Sequence, residues 1–418
     1  MEINKFTSEN IKKFLCNTPQ ITFEVTEKCN LNCYYCGYGN LYSNKDIRKN
    51  NDLSIDKAII FLNYIKKMWK TEYNISFNQT VNISFYGGEP LINFDFIEQI
   101  VSFIENELNN CNRSFIYSMT TNGILLLQHI DYLVKNEFQI LISLDGDEHA
   151  TSHRIFHNGK PAFTQVYNNA KTINEKFPDF FKKNVNFISV LHNQNSIESI
   201  TNFFQEEFGK TPIIAEINTD GINPEKIEEF KNLFKNKFES IFNSDSCSEI
   251  EKKLNFEAPT YNSAFLYLLM NSPYFYMDYN ELLFGKKENR KELPSGTCLP
   301  FQKKVFITAN GKIYPCERIG HEYYLGSISE KDVDIDFEHI AKMYNEYYNK
   351  ISKMCLKCYD YKSCLCCMFH IGILDNSLSV CKNFMNKKDY DNYLKSQIAF
   401  FMRHPETYSE IMNNAVYI

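Results

Sequence analysis

Cys29, Cys33 and Cys36 stand at C-x3-C-x2-C spacing in the run Glu27-Lys-Cys-Asn-Leu-Asn-Cys-Tyr-Tyr-Cys. Three thiolates are one fewer than a tetrahedral iron or zinc site needs. A four-iron cube held by three cysteines leaves one iron open to another molecule, which turns an electron-transfer centre into a catalytic one. The competing reading is a structural zinc site with a distant fourth ligand. A second group of eight cysteines lies between positions 298 and 381, while Cys16, Cys111 and Cys247 stand apart and read as small hydrophobes.

Such a triplet needs elements that hold it open on one side. Short β-rich runs are expected as strands at Ile21–Val25, Val81–Tyr86, Phe115–Met119, Gln139–Leu144, Asn184–Val190 and Pro212–Ile217. Helical periodicity separates them at Ile55–Trp69, Phe94–Leu108, Leu125–Lys135, Phe163–Glu175 and Ile197–Phe208. This alternation implies a parallel sheet with right-handed crossovers, whose reactive groups gather at the loops where strands end. The triplet follows the first strand, Gly87-Gly88-Glu89-Pro90 the second, Thr120-Thr121-Asn122-Gly123 the third, and Ser143-Leu144-Asp145-Gly146 closes the fourth. Gly87 and Gly88 let backbone approach a ligand, Ser143 or Asp145 offers hydrogen bonds to a ribose, and Arg154 offers a bidentate clamp for a carboxylate. Each also has an ordinary reading, as a turn or as a surface cation.

The triplet with Tyr35 before its last cysteine, followed by the Gly-Gly-Glu-Pro run, resembles the radical S-adenosylmethionine superfamily over roughly residues 20 to 220. The resemblance implies an α/β fold, a partial (β/α)6 TIM-like barrel. It implies a [4Fe-4S] cluster on Cys29, Cys33 and Cys36 whose open iron chelates S-adenosyl-L-methionine. In that arrangement Tyr35 approaches the adenine, Gly87, Gly88 and Glu89 the methionyl amine, Ser143 the ribose and Arg154 the carboxylate.

The second group resembles the SPASM extension of that superfamily: Cys298, then Gly311 and Cys316, then Cys355-x2-Cys358-x5-Cys364, and finally Cys381. The resemblance implies a small cysteine-rich domain with two auxiliary iron-sulfur clusters. One is expected on Cys355, Cys358, Cys364 and Cys381, the other on Cys298 and Cys316 with a later cysteine. The chain departs from the pattern at Met368, where the family has cysteine; Cys366 and Cys367 precede it, and Cys367 requires the smaller shift. A zinc reading of this group is the alternative.

The expected organisation is an N-terminal extension over 1–20, the barrel over 21–221, a helical bridge over 222–290, the SPASM domain over 291–389 and a helical tail over 390–418. The bridge shows helical patterning near Lys226–Phe242 and Ala264–Met270, and the tail reads as one amphipathic helix over Tyr390–Tyr408. A chain of 418 residues with 44% hydrophobic content has material for more than one core. Its net charge of −6, from 45 basic against 51 acidic residues, lacks basic clusters, so neither nucleic acid nor a membrane surface is expected as partner. No signal peptide or long apolar run is visible, and a cytoplasmic location is expected.

Taken with the resemblance, these features imply an oxidoreductase that modifies a ribosomally made precursor peptide by thioether or carbon–carbon crosslinking. An anaerobic sulfatase-maturing enzyme, forming formylglycine with Glu317 as proton acceptor, is the second reading. A non-catalytic iron-sulfur or zinc module is the third. Expected partners are the peptide and a reductant such as flavodoxin or ferredoxin. The residues before the first strand are too few for a leader-recognition domain, so leader binding is expected to fall to the bridge, the tail or a separate leader-binding partner.

Overall fold

The computed structural model describes residues 5–76, 79–245, 247–254, 258–271, 293–361, 364–374, 376 and 378–414. Six strands, β1 (Gln20–Thr26), β2 (Thr80–Gly87), β3 (Ser114–Thr121), β4 (Gln139–Ser143), β5 (Val185–Leu191) and β6 (Ile213–Glu216), pair in sequence order and all in parallel. A helix α1 (Ser8–Cys16) precedes them, and crossovers carry α2 (Ile55–Met68), α3 (Phe94–Glu107), α4 (Leu126–Lys135), α5 (Phe163–Lys176), α6 (Pro178–Asn184) and α7 (Ile197–Phe208). This is the mixed α/β architecture expected of the first half, the six parallel strands of a partial barrel. The α7 limits coincide with expectation because both stop signals are local: Ser196 closes a capping box with Ser199, and Gly209 takes the left-handed C-cap at φ 62°.

One face of the sheet packs on the helices. Val81, Ile83 and Phe85, then Tyr117 and Met119, Ile140 and Ile142, and Phe187 and Leu191 are buried there. Phe187 meets Phe204 and Phe208 of α7 with ring centroids 4.7 and 4.6 Å apart. The opposite face is half-exposed and largely polar: Asn82, Ser84 and Tyr86 on β2, Ser118 and Thr120 on β3, Ser143 on β4 and Asn186 on β5. Register places Ser84 beside Ser118, and Ser118 donates to Asn82 at 2.8 Å. Closed barrels fill this space with branched apolar side chains; here it is lined for a polar occupant.

The sheet continues beyond β1 through β7 (Val305–Ile307), β8 (Lys312–Tyr314), β9 (Gly326–Ile328) and β10 (Val333–Asp334), giving ten strands in the order β10-β9-β8-β7-β1-β2-β3-β4-β5-β6. β7 runs parallel to β1, and β8 to β10 are antiparallel. Strands of two or three residues carry no readable periodicity; their partners create them.

The chain divides into two compact units at other points than the expected boundaries. The first comprises Thr7–Ser246 with Cys298–Ala341, so the start of the expected SPASM stretch belongs with the sheet. In this unit the 226–242 stretch forms two short helices, α8 (Ile227–Leu233) and α9 (Lys237–Phe242), because Phe234 leaves helical geometry at ψ 135°.

The second unit comprises Met1–Phe6, Cys247–Thr297 and Lys342–Ile418. It holds α10 (Cys247–Leu254), α11 (Pro259–Asn271), most of α12 (Phe337–Cys355), α13 (Lys387–Arg403) and α14 (Pro405–Asn414). Phe6 stacks on Tyr348 at 5.5 Å, and Tyr261 meets Phe400 edge-on at 5.6 Å. The expected single tail helix is two, interrupted at His404 before Pro405. Bridge positions 272–290 and tail positions 415–418 lie outside the described residues. No described helix is long and apolar enough to cross a membrane.

Candidate active site

The cysteine loop leaves β1 and is tied down along its length. Asn32 N donates to Ile155 O at 2.7 Å and Tyr34 N to His153 O at 3.1 Å, while His157 Nε2 lies 2.8 Å from Cys29 O. Two tight turns follow, Cys36 N to Cys33 O at 3.1 Å and Gly39 N to Cys36 O at 2.8 Å. Cys29 Sγ accepts from Leu31 N at 3.4 Å and from Asn122 Nδ2 at 3.7 Å. Burial pushes the Cys29 thiol up to about 11 and the Cys33 thiol to about 12, so the thiolates need a cationic partner.

The donor set fits an iron-sulfur cluster. The amide two residues after the cysteine donates to sulfur at 3.4 Å at Cys29, at Cys316 from Arg318 and at Cys381 from Asn383. One such cysteine belongs to each expected cluster, and hydrogen bonds to sulfur are how proteins orient cluster ligands and tune their potential. Among the described residues no three His, Cys, Asp or Glu side chains converge closely enough for a single metal ion.

The Gly87–Glu89 loop packs directly on the cysteine loop. Gly88 N donates to Thr26 O at 2.9 Å and Glu89 N to Lys28 O at 2.8 Å. A Cβ at Gly88 would sit 2.1 Å from Lys28 O, and one at Gly87, where φ is +144°, would sit 2.4 Å from Thr26 O. The two glycines therefore admit the neighbouring backbone, a demand as strict as the ligand approach expected of them. The Glu89 side chain has no exposed surface and turns inward, accepting from Thr121 Oγ1 at 2.7 Å, Asn122 N at 2.7 Å and Leu91 N at 3.2 Å. Glu89 thus links the ends of β2 and β3, and Asn122 links β3 onward to Cys29.

Asp145 is the other junction. Its carboxylate, fully buried, accepts Arg154 Nε at 2.9 Å and Nη2 at 3.0 Å, Val190 N at 2.8 Å, and the Tyr35 hydroxyl. That occupancy removes it from the ribose role considered for it. Tyr35 is sandwiched, its ring 5.5 Å from His192 and 5.4 Å from the Arg154 guanidinium. Burial works to raise the Asp145 carboxyl, but the Arg154 guanidinium beside it holds it down at about 2. Ser143 sits half-exposed on the polar face next to Ile188. His192 and Asn195, which clips Asp145 O at 3.2 Å and Val190 O at 2.9 Å, carried no motif and were invisible in the sequence.

Of the later cysteines, Cys355, Cys358, Cys364 and Cys381 line one cavity with Ser295, Met354, Tyr361, Asn383 and Phe384. Cys366 turns toward the same cavity residues: Asn383 Nδ2 lies 2.8 Å from its sulfur. Contact with Cys364 is the main cause that lowers its thiol to about 7. Cys367 is the N-cap of the turn Met368–His370. Cys298 and Cys316 lie in the other unit. Beside Cys316, Glu317 faces Lys304 at 3.1 Å; burial works to raise its carboxyl, and Lys304 keeps it below the usual range.

Residues 23–205 match the family model described as "Radical SAM superfamily". They form a radical SAM domain. The chain is 25% identical over 323 residues to the cysteine-type anaerobic sulfatase-maturating enzyme of Clostridium novyi (strain NT), covering 73% of this chain and 75% of that one. It is 25% identical over 356 residues to the radical SAM cyclopropyl synthase TigE of Paramaledivibacter caminithermalis, covering 81% of this chain and 65% of that one. Matches to the first curated relatives span between 44% and 75% of their lengths. The solved structure of native anSMEcpe with bound AdoMet shares the fold of this chain at TM-score 0.56 and 19% identity, over 96% of this chain and all of that one.

Proposed function

We propose that the chain is a radical SAM peptide maturase with auxiliary clusters, which modifies a ribosomally made precursor peptide by thioether or carbon–carbon crosslinking. The observation that carries the reading is the junction of four loops. The Gly87–Glu89 loop bonds to Thr26 and Lys28, Asn122 bonds to Cys29, and Tyr35 bonds to Asp145, so the ends of β1 to β4 meet around the cysteine triplet. Cys29, Cys33 and Cys36 would hold the cluster, with Gly87, Gly88, Ser143 and Arg154 placed to receive S-adenosylmethionine. When bound, these groups supply a 5′-deoxyadenosyl radical that removes hydrogen from an unactivated carbon. The chain's own part is to orient the ligand and to present the polar sheet face to the substrate. The SPASM-like cysteines and the TigE relative support a substrate modified at carbon.

The test is anaerobic incubation of the reduced protein with S-adenosylmethionine and the small peptide encoded beside its gene. Crosslinking lowers the peptide mass by two hydrogens as 5′-deoxyadenosine accumulates; an unchanged mass sinks the reading. The second reading, formylglycine formation, is favoured by Glu317, a carboxylate kept ionised by Lys304 beside Cys316. It requires conversion of a sulfatase-derived Cys or Ser peptide under the same conditions.

A further inference from the structure

The Asp145–Arg154 pair is unlike an exposed ion pair, which contributes little. The Asp145 side chain is 0% and that of Arg154 9% exposed, and two parallel hydrogen bonds join them. A buried pair of this kind rarely stabilises a fold more than packed apolar groups would. Its consequence here is directional. Arg154 has five N–H donors; the bonds to Asp145 use Nε and one hydrogen of Nη2, and the other three have no protein acceptor among the described residues. The Tyr35 ring lies 5.4 Å from the guanidinium, and Tyr35 is itself bonded to Asp145. Backbone bonds from Arg154 N to Thr151 O at 2.9 Å and from Ala162 N to Arg154 O at 3.0 Å fix the residue's base. The guanidinium is thus held on one edge and against one face, and its remaining edge is turned away from Asp145. Tyr34 N of the cysteine loop donates to His153 O at 3.1 Å, so the residue next to Arg154 is tied to that loop.

We propose that Asp145 is a positioning residue: it turns the outer edge of Arg154 to the carboxylate of a bound nucleotide that carries an amino-acid arm. The inference rests on the reading of this site as one for S-adenosylmethionine. Asp145 would touch no ligand atom. Its effect is to pre-orient a donor pair that otherwise loses rotamer freedom on binding. It also ties the ligand clamp to Tyr35, so cluster loop and clamp share one support.

The test compares two ligands on the cluster-loaded protein by anaerobic calorimetry: S-adenosylmethionine, and 5′-methylthioadenosine, which has the nucleoside but no amino-acid arm. Asp145→Asn, nearly the same shape, is expected to weaken S-adenosylmethionine about ten- to hundredfold and methylthioadenosine by less than about twofold, with iron content unchanged. Arg154→Gln should show the same selectivity, and the double variant should bind no worse than Arg154→Gln alone, because the two residues act as one. Equal weakening of both ligands, or losses that add in the double variant, would overturn the proposal. Should Asp145→Asn fail to fold, Asp145→Glu serves: it keeps the charge, displaces the guanidinium and is expected to give the same selective loss. Absence of S-adenosylmethionine binding by the wild-type protein is a separate result, and defeats the reading of the site itself.

Discussion

Glu89 carries a conflict that can be measured. Three donors reach its carboxylate, from Thr121, Asn122 and Leu91, yet burial pushes it up to about 7. A carboxyl raised in the folded state contributes stability that is complete below its unfolded value and is lost as pH climbs through the folded one. The window for Glu89 therefore opens near 4.5 and closes near 7. Between about pH 5 and about pH 8 the wild-type melting temperature is expected to fall relative to that of Glu89→Gln; a constant difference across that range would refute the assignment. Nothing in the sequence separates Glu89 as a ligand contact from Glu89 as a bridge between strand ends. The Gly-Gly-Glu-Pro run marks the place, and only the approach of β3 decides where the side chain points.

The Gly87–Glu89 loop shows how elements set the site. Its amides bond to the backbone leaving β1, so it positions the cysteine loop before any ligand arrives. Gly88→Ala would put a methyl 2.1 Å from Lys28 O, where only backbone movement relieves it. The expected cost is about 3 kcal/mol or more, with loss of the triplet's cluster in the same preparation; normal iron content and an unchanged melting temperature would show that the loop yields freely. The later cysteines give a second test. Cys366 lies 2.8 Å from Asn383 Nδ2 at the four-cysteine cavity, whereas Cys367 opens a helical turn. Cys366→Ser is therefore expected to alter the electronic spectrum of the cluster formed with Cys355, Cys358, Cys364 and Cys381, and Cys367→Ser to leave that signal in place. The opposite pattern would put Cys367 rather than Cys366 beside that cluster.

In the whole molecule the two cysteine groups are distributed over two compact units. Cys29, Cys33, Cys36, Cys298 and Cys316 belong to the sheet unit, and Cys355, Cys358, Cys364, Cys366, Cys367 and Cys381 to the helical one. Replacing Cys29, Cys33 and Cys36 together by Ala is expected to abolish 5′-deoxyadenosine formation and to remove about four irons per chain, while later-cysteine iron remains. Loss of all iron would mean that the centres assemble as one.

The six parallel strands were legible because each pairs with its sequence neighbour and each buries a period-two apolar face on a helix whose own stripe is local information. The triplet, the glycine loop and Arg154 were legible as residue types at strand ends. Strands β7 to β10 were not, since runs of two or three residues such as Val305–Ile307 acquire extended pairing only when β1 offers a free edge. The same reason hid the site's supports. The sequence by itself determined the cysteine spacing, the αβ alternation and hence the side of the sheet where chemistry gathers. Tertiary structure alone decided that Asp145 holds Arg154 and Tyr35, that Glu89 faces inward and that Cys366 accepts a hydrogen bond from Asn383. Those are bonds between residues up to 110 positions apart, and no local pattern records which distant partner a buried polar group will find.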